Sequence, residues 1–94
     1  MLDDRVRIEL RRVERGQLRA VADMTLPTAV GEVTVRGFRV LCPEGKEPWV
    51  GFPEETFTRE GKAVRRPVLE VASGVRRRIS ASILDEFTRK RDSA

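Results

Sequence analysis

The spacing of apolar residues changes at Pro67, and that change fixes the class of fold. Upstream the side chains alternate, the period of a half-buried strand. Val6, Ile8 and Leu10 fall on one side, with Arg5, Arg7, Glu9 and Arg11 on the other. Leu18, Ala20, Ala22, Met24 and Leu26 repeat the pattern against Arg19, Asp23 and Thr25. Downstream, Val71, Val75, Ile79, Ile83 and Phe87 recur every fourth residue, a helical stripe of the kind that packs on a sheet. Strands first and one helix last predict an α+β fold: a small antiparallel β-sheet of about five strands with one C-terminal α-helix packed on it. The 94 residues suit a single domain over 1–94, with strands over about 4–68 and the helix over about 71–91.

Glycines and prolines place the joints. Glu14-Arg15-Gly16-Gln17 reads as a hairpin turn and Pro27 as the end of the second strand. The third strand, about Glu32 to Cys42, changes parity: Val33 and Val35 are odd-numbered, whereas Phe38, Val40 and Cys42 are even-numbered. Gly37 sits at the change and predicts a bulge there. A strand buried on both faces in its second half is the alternative, since Leu41 joins the run. Trp49 to Phe52, closed by Pro53, reads as a short strand, Glu54 to Lys62 as a charged hairpin loop with a left-handed Gly61, and Ala63 to Val68 as a last short strand. Prolines at their ends suggest that these short strands lie at edges. Ser73 is a candidate N-cap, with the helix starting at Gly74. Met1-Leu2 and Asp92-Ser93-Ala94 read as frayed ends.

Composition narrows the chemistry. With no histidine and one cysteine, Cys42, the chain lacks the commonest general base and cannot form an internal disulfide. Cys42, on an apolar strand face, reads as a small core residue. There is no phosphate-binding glycine loop, since Gly45 and Gly51 stand alone. Enzymatic, cofactor-dependent and metal-dependent roles are therefore not expected. No apolar run approaches the ~20 residues of a membrane span, and the N-terminus carries no signal-peptide pattern, so a cytoplasmic protein is expected.

The formal net charge is +4. Eight basic and four acidic residues fall between Ala63 and Ala94, whereas Pro43 to Lys62 is acidic. Arg76-Arg77-Arg78 is the sharpest feature. Three consecutive helical residues fan over roughly 200°, so Arg77 and Arg78 point away from the apolar stripe while Arg76 borders it. Near a helix start they suit phosphate, which arginine grips in bidentate fashion. A solvated surface, with pairing to Glu70 or Asp85, is the plainer alternative. Arg65 and Arg66 lie on the last strand and, as neighbours, point to opposite faces. Arg59 and Lys62 sit at a loop tip among Glu54, Glu55 and Glu60. Arg5, Arg7 and Arg11 share one face of the first strand, more simply read as solvated than as a nucleic-acid track. Of the aromatics, Trp49 and Phe52, with Val50 between them, suit a core or a dimer seam, and Phe57 suits an exposed position.

Taken in order, the hairpin, Phe38-Arg39-Val40-Leu41, Trp49-Val50-Gly51-Phe52-Pro53, a polar loop, Val64-Arg65-Arg66-Pro67-Val68 and a helix ending Ile83-Leu84-Asp85-Glu86-Phe87 resemble the SpoVG family. This is the family of stage V sporulation protein G, the septation regulator. The resemblance runs from about Arg5 to Phe87. It implies a homodimer formed through sheet edges and a regulator that binds DNA and, in some cases, RNA, linked to sporulation, septation and cell division. Glu54-Glu55-Thr56 stands where the family often has Ser-Lys-Arg, and Arg66-Pro67 where it has His-Pro; the usual Pro-Asp-Gly turn is lacking. The expected interface is therefore Arg76, Arg77, Arg78, Arg65, Arg66, Arg59 and Lys62 on nucleic acid, with Trp49, Val50 and Phe52 at the dimer seam. A protein-interaction module that uses a sheet edge, without nucleic acid, is the alternative.

Overall fold

A computed structural model describes residues 5–92, so the expectations for residues 1–4 and 93–94 lie outside it. The chain forms β1 (Arg7–Arg15), β2 (Leu18–Thr28), β3 (Gly31–Leu41), β4 (Trp49–Gly51), β5 (Glu54–Arg59), β6 (Lys62–Pro67) and α1 (Ser73–Asp92). The first four strands make one antiparallel sheet in chain order, a meander, with β1 and β4 at its edges. The α+β class with a packed C-terminal helix is as expected. The single sheet of about five strands is not, because β5 and β6 pair only with each other.

Alternation decides which face is buried. Leu10, Ala20, Ala22, Met24, Phe38 and Val40 line the inner face, where Ile79, Ile83 and Phe87 of α1 cover them. Phe38 meets Phe52 edge to face, ring centroids 5.1 Å apart. Val6, Ile8, Leu26, Val35 and Cys42 pack around this centre. Gly37 has φ 98°, and the β2–β3 register shifts where it stands, between the pairs Ala22–Phe38 and Asp23–Arg36. This is the bulge that the change of parity predicts.

A second irregularity was not legible. The β2–β3 register also shifts between Leu18 and Ala20. Leu18 therefore pairs with Leu41, which pairs with Trp49, all on the outer face. The alternation had placed Leu18 with Ala20 on the inner face; one extra residue at Arg19 moves it across. The helix differs at its start. The Arg76 N–H donates to the Ala72 carbonyl at 2.9 Å, so Ser73 is already helical rather than the cap. Val75 is exposed, and the apolar stripe of the helix proper begins at Ile79.

The segment expected as a charged loop is instead half of a regular hairpin. Its pairing runs from Glu54–Pro67 to Arg59–Lys62 around Glu60 and Gly61. Both turn residues have positive φ, 51° and 75°, the conformation whose twist suits a two-residue hairpin. Apart from half-buried Phe57 and Val64, its side chains are exposed. A Val68 N–H donated to the Pro53 carbonyl at 3.0 Å closes the base of this arm.

Candidate nucleic-acid interface

The arginine triplet lies in the first turns of α1, and the first turn holds no acid. Arg76 is anchored: its guanidinium carbon sits 4.1 Å from the centroid of the Phe52 ring, a cation–π contact that also caps the core. Arg77 and Arg78 are exposed, and among the described residues neither meets a carboxylate. The pairing with Asp85 expected of a solvated helix goes to Arg89 instead, which reaches Asp85 at 3.9 Å and Glu86 at 2.8 Å. Three positive charges, one of them held in place, therefore gather at the end of the helix whose free N–H groups also favour an anion.

The hairpin cations divide into two groups. Arg66 donates to Glu55 through Nε at 2.9 Å and through Nη2, and lies 5.1 Å from the Phe57 ring centroid. Arg65 approaches Glu54 at 3.9 Å. These two are committed within the arm, on opposite faces as adjacent strand residues must be. Arg59 and Lys62 oppose each other at the last rung, beside the turn, and meet no acid among the described residues. The seven expected contacts therefore form a helix group that is open, a strand pair already neutralised, and a tip pair remote from the core.

The three expected seam residues separate as well. Phe52 is buried inside the protomer, 4% exposed, so it belongs to the core rather than to a surface seam. Val50 pairs with Val40 on the inner face and is half-buried. Trp49 alone is open, 50% exposed, on the outer face of the edge strand.

Sequence reasoning passed over Arg39. It pairs with Gly51, and a side chain at position 51 would stand 2.7 Å from the Arg39 guanidinium. Gly51 is what lets that guanidinium lie flat against the edge strand. Arg39 and Arg76 both line a groove of about 230 Å³ that wraps the β4 edge at Gly51-Phe52-Pro53. The signal available was an isolated glycine in a short strand, but the bulge at Gly37 hides which residue it faces.

No helix among the described residues is long and apolar enough to cross a membrane. No family model matches the chain, and neither the curated proteins nor the solved structures contain a match to it.

Proposed function

We propose that this protein is a cytoplasmic nucleic-acid-binding regulator of the SpoVG type, a homodimer that grips the phosphate backbone of DNA, and of RNA in some settings, through arginines. The observation that carries this reading is the unopposed triplet Arg76, Arg77 and Arg78 in the first turns of α1, with no acid in the first turn. Phosphate contacts of this kind position a protein without reading sequence. The Glu54–Arg65 and Glu55–Arg66 pairs hold two further cations in reserve. A polyanion competes for those arginines, and the pairs, being exposed, are worth only about 0–1 kcal/mol each. Dimer formation is supported by the arm. A lone two-stranded ribbon is marginal in water, and β5–β6, which carries the half-buried Phe57 and Val64 on one face, pairs with no strand of the larger sheet.

The test is fluorescence anisotropy with a labelled random-sequence duplex and a labelled single strand, at low and physiological salt. Wild type is run beside Arg76→Glu/Arg77→Glu/Arg78→Glu, with folding checked by circular dichroism and mass in solution by light scattering. The reading expects salt-sensitive binding that the variant loses, and a mass of two chains. Absence of binding to both probes at low salt overturns it.

A further inference from the structure

The outer face of the four-stranded sheet faces solvent, since α1 packs on the other side. The register sorts this face into transverse rows. At the Trp49 end, one row runs Arg15–Leu18–Leu41–Trp49 and the next Arg11–Val21–Arg39–Gly51. Among the described residues, none of these three arginines meets a carboxylate. The acids of the face begin in the next row, Glu9–Asp23–Arg36, where Asp23 takes Arg36 at 2.8 Å, and continue to Glu32, which takes Arg7 at 3.1 Å. The Trp49 end of the face is thus apolar and cationic, and the carboxylates of the face lie beyond it.

From Arg39 the surface deepens. A cleft of about 410 Å³ continues along β3 beside the base of the hairpin, lined by Arg36, Gly37, Arg39, Pro53, Glu54 and Arg65, the last two paired with each other. From Leu41 to Gly37 the strand covers about 13 Å. An exposed indole therefore opens onto a run of arginines and then a cleft.

We infer that the Trp49 end of this face is a platform for single-stranded nucleic acid: a base stacks on Trp49, and Arg39, Arg11 and Arg15 hold the phosphates on either side. The inference rests on the nucleic-acid reading above and adds to it the strand type and a second surface. Aromatic rings interleaved with cations bind single strands because every base has a face to stack, whereas a duplex keeps its bases stacked on one another. A second copy of the chain is the poorer occupant, because two-fold pairing of this face sets Arg11, Arg15 and Arg39 against the same unneutralised charges. An apolar protein strand leaves those three cations unpaired as well.

Trp49 is the chain's one tryptophan, so its fluorescence reports on this site alone. The experiment titrates the full chain with a twelve-nucleotide oligothymidine and with an abasic oligonucleotide of the same length, following anisotropy and Trp49 emission together. The platform predicts that oligothymidine quenches Trp49 whereas the abasic strand binds without quenching. Trp49→Ala then weakens oligothymidine by about 5- to 150-fold and leaves the abasic strand unchanged. Trp49→Phe, which keeps a stacking ring, falls between the two, and urea midpoints confirm that both variants fold. Equal affinity for the two strands, with no quench, overturns the platform while leaving the phosphate reading intact. Binding of neither strand overturns both. Loss of dimer mass in Trp49→Ala with unchanged oligothymidine affinity overturns the platform in favour of a face-to-face pair.

Discussion

Adding one methyl group at two glycines should move stability in opposite directions. At Gly37 the backbone has φ 98°, and a Cβ there would meet the Pro53 Cβ at 3.4 Å, ordinary contact. Space is therefore not the obstacle; backbone conformation is. An L-residue on the positive side of φ costs roughly 1–2 kcal/mol. Straightening the strand offers no escape, because removal of the bulge turns Phe38 and Val40 outward. At Gly74, a Cβ meets nothing within 4 Å and φ is not positive. There alanine recovers up to about 0.5–1 kcal/mol of helix propensity. In urea, with a slope of about 1 kcal/mol/M for a chain this small, Gly37→Ala should lower the midpoint by about 1–2 M. Gly74→Ala should raise it by up to about 0.5–1 M. A Gly37→Ala variant as stable as wild type refutes the bulge. A destabilised Gly74→Ala variant refutes the position of the helix start.

Three further outcomes follow from particular contacts. Ile83 is fully buried under the sheet, so Ile83→Ala should lose about 2–5 kcal/mol, read as a fall in the thermal midpoint; a fall no larger than that of an exposed-site control argues against the helix packing. Arg76→Ala should cost about 0.5–1 kcal/mol through loss of its cover on Phe52, with Arg76→Lys intermediate in the same urea assay; equal stabilities would show the contact to be idle. Glu54→Gln/Glu55→Gln releases Arg65 and Arg66, and two added phosphate contacts should steepen the slope of log Kobs against log salt on a duplex by about 1.8. An unchanged slope there would mean that the hairpin does not touch nucleic acid.

Elements whose side chains alternate between core and water were legible. β1, most of β2, the Gly37 bulge and the Ile79, Ile83 and Phe87 stripe all carry their burial in their spacing. β5 was not legible as a strand, because a strand with a single half-buried residue, Phe57, has no apolar period: Glu54-Glu55-Thr56 reads as loop until its partners in β6 are known. The outward move of Leu18 was hidden for a related reason, since a bulge at Arg19 adds a residue without a glycine to mark it. In the candidate site, the exposure of Arg77 and Arg78 followed from helical geometry alone. The neutralisation of Arg65 and Arg66 depends on the β5–β6 register, and the company of Trp49 and Arg39 depends on which side of a three-residue strand faces out. Neither is written in local sequence.

The salt dependence of duplex binding decides whether the start of α1 holds the phosphate backbone. Each phosphate neutralised contributes about 0.9 to the slope of log Kobs against log salt. Wild type should therefore show a clear negative slope. Arg76→Ala/Arg77→Ala/Arg78→Ala, with its fold intact, should lie closer to zero by about 2.7. A wild-type slope near zero, or the same slope in both proteins, would contradict the claim that the start of α1 holds the phosphate backbone.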